Sequence, residues 1–101
     1  MNRNKTIENK ELEKIKPVIV GTLKKHGIKK AGIFGSYVRN EQNKNSDIDI
    51  VVKAPKGIGL TFITINLELE DKLKRKVDLL TYNSLNPLLR KRILKEEVRI
   101  L

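Results

Sequence analysis

The chain has no cysteine and no tryptophan, and its 101 residues include only two tyrosines, two phenylalanines and one histidine. Without cysteine there is neither a disulfide framework nor a thiolate metal site, a composition that suits the cytosol. So few rings, none interleaved among the basic residues, argue against a platform on which single-stranded nucleic acid stacks. No apolar run approaches the ~20 residues of a transmembrane helix, so a membrane partner is not expected. The start, Met1-Asn2-Arg3-Asn4-Lys5, is followed by no apolar stretch of the kind that makes a secretory signal. No repeat, low-complexity tract or Pro/Gly/Ser-rich linker divides the sequence. A chain of this length is expected to form one domain over residues 1–101, burying roughly 60–70% of its unfolded surface around a modest core. A large substrate or a partner protein would have to complete any deep cleft.

What the chain has in excess is positive charge. Twenty-two Lys and Arg against twelve Asp and Glu leave a formal net charge of +10. Such a balance favours polyanions: nucleotides, nucleic acid or an acidic protein. The basic residues gather in Lys72-Leu73-Lys74-Arg75-Lys76 and in Arg90-Lys91-Arg92. Both runs read either as anion contacts or as solvated helix faces.

Periodicity lays out the elements. Leu12, Ile15, Ile19 and Leu23 recur at spacings of three and four, which predicts a helix over 8–26. Pro17 is expected to split it, taking the first position of a second short helix, and Gly27 is a plausible stop. Residues 30–34 read as a strand ended by Gly35-Ser36, with Ser36 capping a short helix over 37–40. Residues 41–45 are polar and turn-like, and 47–52 alternate as a second strand. Residues 60–75 fit both periods, and their length and Lys/Glu-rich end favour a helix. A strand over 77–81 follows. Asn86-Pro87 then opens a helix to about Lys95, with 98–101 as a terminal strand or packing segment. The order predicts an α/β (α+β) chain with a small mixed sheet flanked by helices.

The informative motif is Gly35-Ser36, then ten residues, then Asp47-Ile48-Asp49. Side chains alternate along a strand, so Asp47 and Asp49 share one face while Ile48, Ile50 and Val52 take the other. Two carboxylates held ~4 Å apart at a surface-like dielectric repel by about 4 kcal/mol. A divalent cation removes that cost, and Mg²⁺ takes one or two carboxylates plus phosphate oxygens and water. Asp78 sits inside the apolar strand Val77–Leu80. It joins the pair if that strand lies beside 47–52; otherwise it faces solvent from an edge. Gly35 lets the backbone approach a phosphate closely, and Ser36 offers a hydroxyl and a helix start that favours an anion. Arg39, one turn on, reads as a phosphate or partner contact or as an ordinary exposed helix arginine. Four fixed residues at roughly 5–7% each match by chance on the order of once in 10³ such chains. His26 reads as a surface residue at a helix end. Ser36 lacks both a Gly-x-Ser-x-Gly elbow and a linked histidine, so it is not read as a hydrolase nucleophile.

At these residues the sequence resembles the DNA polymerase β-like nucleotidyltransferase superfamily and, more closely, the minimal nucleotidyltransferases of prokaryotes. The flanks agree: Phe34-Gly35-Ser36-Tyr37, Ser46-Asp47-Ile48-Asp49 and Lys76-Val77-Asp78-Leu79. The resemblance covers about residues 15–100. Asn40 departs from the Gly that commonly follows the matched arginine, but Asn tolerates left-handed backbone. Val38 replaces a usual small residue. The resemblance implies a nucleotidyltransferase fold in which Asp47 and Asp49 bind two Mg²⁺ ions. Asp78 would bind the catalytic metal and help activate the attacking hydroxyl, and Gly35 and Ser36 would hold the triphosphate of ATP. It further implies transfer of AMP, with loss of pyrophosphate, to a tyrosine of a partner HEPN-family toxin, for which the chain would be the antitoxin.

Two other readings are weighed beside it. One is a nucleotidyltransferase acting on an RNA end or a small-molecule hydroxyl, which the missing extra domain disfavours. The other is a non-catalytic basic module that binds a protein or RNA, which the intact Asp47, Asp49 and Asp78 disfavour.

Overall fold

The computed structural model describes residues 10–101. The first two residues of the expected helix over 8–26, and the leading segment 1–5, lie outside the described residues. Three helices and four strands follow one another. Helix α1 is Lys10–Lys25, β1 Ala31–Phe34, β2 Ile48–Val52 and α2 Thr61–Leu73. Strand β3 is Val77–Thr81, α3 Pro87–Glu96 and β4 Val98–Arg99. Short 3₁₀ turns occupy Gly35–Tyr37 and Tyr82–Ser84.

The sheet runs β3-β2-β1-β4. Strand β1 is antiparallel to both β2 and β4, whereas β2 and β3 are parallel. The α2 crossover between them meets the need of a parallel pair for a long connection. One sheet face carries the main core. Ala31, Ile33, Ile48, Ile50, Val52, Val77 and Leu79 pack there against Leu12, Ile15, Ile19 and Leu23 of α1 and Ile65 and Leu69 of α2. The other face carries a small cluster in which Val51 meets Tyr82, Leu85 and Ile93, with Phe34 and Leu80 packed beside them.

Helix α1 runs unbroken through Pro17, contrary to the expected split. Pro17 lies on the exposed side, while the Leu12, Ile15, Ile19 and Leu23 stripe holds the helix to the core on both sides of the ring. The carbonyl that proline leaves without a partner therefore faces water rather than the interior. The double period of 60–75 resolves as a helix. Ile65 and Leu69, four apart, are fully buried, whereas Ile63 and Leu67 are 55% and 59% exposed. A strand would have buried all four on one side. The helix ends at Lys74, which adopts the left-handed conformation with φ of 56°.

Helix α3 begins as expected: Asn86 Oδ1 accepts the Leu89 N–H at 2.9 Å, with Pro87 in the first turn. Among the described residues no helix is long and apolar enough to cross a membrane.

Candidate active site

Register brings the acids together. In the parallel β2–β3 pair, Asp49 is the direct partner of Asp78. Neighbouring strands lie about 4.8 Å apart, so the two side chains emerge side by side on the same face. Asp47 precedes β2 by one residue and is partly exposed, as is Asp49, while Asp78 is exposed. The three predicted acids thus gather at one end of the β2–β3 edge, on the face covered by α3. Among the described residues no three carboxylate or imidazole groups form a ready-made metal cage. The donor set of three carboxylates suits a Mg²⁺ that keeps its waters and takes further oxygens from phosphate.

The Gly35–Ser36 turn reaches the same place through β1. Antiparallel pairing sets Phe34 opposite Asp49, so the next residue turns directly over that carboxylate. Gly35 has φ of +81°, and a Cβ built on it would lie 2.1 Å from Asp49 Oδ2. Both the backbone conformation and the contact require glycine. The expected Ser36-capped helix over 37–40 is absent. A single 3₁₀ turn over Gly35–Tyr37 stands instead, with Ser36 inside it rather than capping it. It stops because Asn40 takes a left-handed φ of 59°. The following polar loop is tied locally, the Asn43 N–H donating to Ser46 Oγ at 2.9 Å and the Asn45 N–H to Asn43 Oδ1 at 2.8 Å. Ser36 Oγ makes no hydrogen bond among the described residues.

Electrostatics follow from this crowding. Burial pushes the Asp49 carboxyl up to about 6, and the negative charges of Asp78 and Asp47 add to the effect. Arg39 opposes it from the end of the turn. The guanidinium of Arg39 is held by two carboxylates, Glu41 at 2.9 Å and Glu96 at 3.1 Å.

Glu96 is the site residue that sequence reasoning missed. Its Oε2 accepts the Gly35 N–H at 2.8 Å, and both its oxygens accept from Arg39 Nη1. A carboxylate from the last turn of α3 therefore rests on the backbone donor of the Gly35–Ser36 turn. Glu97 holds the next feature along. Its carboxylate accepts the Tyr82 hydroxyl, and its Oε2 lies where a Cβ on Gly32 would be 2.0 Å away. Burial, and then this hydrogen bond, raise the Tyr82 phenol well above its ordinary value.

The other singled-out residues have structural partners. His26 meets Glu68 at 2.9 Å, in a hub where Glu68 also pairs with Lys25 and, at 2.9 Å, with Lys72. These contacts, the Lys25 hydrogen bond first, hold Glu68 down to about 2. The hub joins α1 to α2, on the face of the sheet away from the acids. Within the Lys72–Lys76 run, Lys74 meets Asp71 at 3.9 Å and Arg75 meets Glu11 at 3.8 Å. Three of the run's four cations, Lys72, Lys74 and Arg75, thus stand beside the fold's own carboxylates.

The sequence matches the family described as Polymerase beta, Nucleotidyltransferase over residues 13–101. A Methanocaldococcus jannaschii protein with the provisional name of protein adenylyltransferase is 50% identical over 91 residues, which is 89% of this chain and 98% of its own. Protein adenylyltransferase MntA of Thermococcus cleftensis is 35% identical over 94 residues, which is 88% of this chain and 95% of that one. A crystal structure of a toxin–antitoxin with AMP-PNP superposes with a TM-score of 0.76 at 25% identity, over 85% of this chain and 72% of that chain. The glycine turned over a strand carboxylate therefore has a lineage as well as a geometry: the chain belongs to the polymerase β nucleotidyltransferase family, among its minimal nucleotidyltransferases.

Proposed function

We propose that this chain transfers AMP from ATP to a protein hydroxyl, a tyrosine of a HEPN-family toxin, and so acts as the antitoxin of that toxin. The observation that carries the reading is the packing of Gly35 against Asp49 with Asp78 beside it. One turn and two strands bring a phosphate-binding backbone within reach of a set of hard oxygen donors. The adenylyltransferase names of the relatives and the AMP-PNP of the similar toxin–antitoxin structure support ATP as donor and a protein as acceptor. ATP consumption fits the cytoplasm. The family match from residue 13 to 101 supports taking 1–101 as one catalytic domain.

The roles follow from position. Asp47, Asp49 and Asp78 would hold Mg²⁺, as two ions. Bound there, the metal neutralises phosphate charge and favours in-line displacement. The Gly35–Ser36 turn receives the triphosphate through the free Ser36 hydroxyl, with Gly35 allowing the close approach while its own N–H is held by Glu96. Glu96 orients both the Gly35 N–H and Arg39, which makes it a positioning residue. The acceptor oxygen bonds to the α-phosphorus as the bond to the β-phosphate oxygen breaks, and pyrophosphate departs. Asp78, the most exposed of the three acids, stands where it can take the hydroxyl proton.

The test is incubation with Mg²⁺ and ATP labelled on the α-phosphate, with and without a HEPN-family protein from the same organism. Label on that protein, lost in Asp47→Asn, is the expected result. A folded wild-type chain that leaves a bound HEPN protein unlabelled overturns the reading.

A further inference from the structure

The sheet face that carries the acids changes character along its length. Along β2 and its flanks it presents Asp47, Asp49, Val51 and Lys53 in turn; on β3 it presents Asp78 and Leu80. Strand β1 adds Phe34 opposite Asp49, and Lys30 meets Lys53 through a backbone hydrogen bond of 3.0 Å. The acidic end thus passes through the apolar patch under Ile93 to a basic end. Four residues of strand separate Asp49 from Lys53, a distance of about 13 Å.

A cavity of about 320 Å³ opens at the basic end, lined by Lys30, Lys53, Thr81, Tyr82, Arg90 and Leu94 among others, with no acidic residue in its wall. Among the described residues Lys30, Lys53 and Arg90 enter no ion pair, in contrast to the Lys72–Lys76 run. Lys30 Nζ lies 4.8 Å from the centroid of the Tyr82 ring. That ring is buried beneath the lysine and offers no open face for a base to stack on. Leu94, on the α3 side of the cavity, is 47% exposed beside Arg90. An apolar rim of this kind suits a protein segment better than a nucleic-acid backbone.

We propose that this cavity docks the protein acceptor by an acidic side chain, an Asp or Glu about 13 Å from the hydroxyl that is modified. The proposal rests on the reading of the acid end as a protein-modifying site and adds how its substrate is chosen. Three convergent cations on the same face as the catalytic acids set a fixed span between an anionic anchor and the reacting oxygen. Hydroxyls lacking an acid at that span are passed over.

The experiment measures three quantities for the wild type, Lys53→Glu, Arg90→Glu and the milder Lys53→Ala. They are affinity for the HEPN-family protein by calorimetry without nucleotide, affinity for a single-stranded RNA oligonucleotide, and labelling of the HEPN protein from ATP. Lys53 and Arg90 are exposed, so the variants are expected to fold. Each charge reversal should weaken acceptor affinity by about tenfold or more and raise the acceptor KM in step, with the KM for ATP unchanged. Lys53→Ala should show a smaller loss of the same kind. Unchanged acceptor affinity in both reversals overturns the docking proposal. So does loss of affinity for a single-stranded RNA oligonucleotide with acceptor affinity intact. A wild-type chain that binds the HEPN protein but transfers no label overturns the functional reading alone, and the affinity ratios still judge the docking. A wild-type chain that does not bind the HEPN protein overturns both.

Discussion

The two faces of the sheet are built to different ends. Against α1 and α2, the strands present a continuous layer in which Ile33, Ile48, Ile50 and Val52 meet Ile19, Leu23, Ile65 and Leu69, all fully buried. Against α3, only Val51, Tyr82, Leu85 and Ile93 are buried together, between an acidic end and a basic one. The first face holds the fold. The second keeps its helix on a small apolar footing and leaves both ends of the sheet open to ligands. The main core and the candidate site are thus separated by the thickness of one sheet, and substitutions on the two sides should read out differently.

The largest effect expected is on the α3 face. Asp49→Asn should lower transfer on the order of 10³-fold or more, by removing a charge essential to the reacting centre. The same substitution should stabilise the metal-free protein at pH 7, because it removes a carboxylate that folding makes harder to ionise. Denaturant unfolding beside a transfer assay checks both. Lower stability in Asp49→Asn would break the division of labour between the faces. Next, on the α1–α2 face, Ile50→Ala should cost about 2–5 kcal/mol of stability. Its transfer rate per folded molecule should remain near that of the wild type.

A pH titration sharpens the contrast, because the faces carry shifts of opposite sign. The Asp49 carboxyl, raised from 3.8 to about 6, contributes stability that is full below 3.8 and lost as pH rises through 6. Asp49 is partly exposed, and solvent screening holds the loss to on the order of 1–2 kcal/mol. Glu68, lowered from 4.5 to about 2, contributes stability that is present above 4.5 and lost as pH falls towards 2. Metal-free protein should therefore unfold at higher temperature at pH 5 than at pH 7, a difference that disappears in Asp49→Asn. Metal affinity should move the other way, falling below pH 6 as Asp49 takes up its proton.

The smallest effect expected is at Glu96. Glu96→Gln keeps the shape and an acceptor oxygen for Gly35 but loses the charge opposite Arg39. It should raise the KM for ATP several-fold, about 1 kcal/mol of transition-state stabilisation, with little change in melting temperature. Glu96→Asp should recover part of the loss. Equal losses in both variants with lowered melting would make Glu96 merely structural.

What the sequence disclosed, and what it hid, follows the range of the interactions. The placement of Asp47, Asp49, Gly35 and Ser36 was legible because strand alternation and a sharp turn are local facts. Asp78 was legible only as an acid out of place in an apolar strand, and the β2–β3 register supplied its partner. Pro17 misled because the local rule against interior proline yields to a buried stripe that continues past it. Ser36 misled because the turn's length is set by Asn40, not by its first residues. Glu96 gave no signal at all. It stands 61 residues from Gly35, and nothing in its neighbourhood distinguishes it from any glutamate ending a helix. Lys30, Lys53 and Arg90 were hidden in the same way, scattered along the chain and gathered only by the sheet.

The long reach from Gly35 to Glu96 also has a meaning in time. On a ribosome adding about 5–20 residues per second, the codon for Glu96 is read roughly 3–12 s after that for Gly35. The turn over Asp49 is therefore synthesised well before the carboxylate that holds its N–H. The order of synthesis supplies the turn first and the carboxylate that steadies it last.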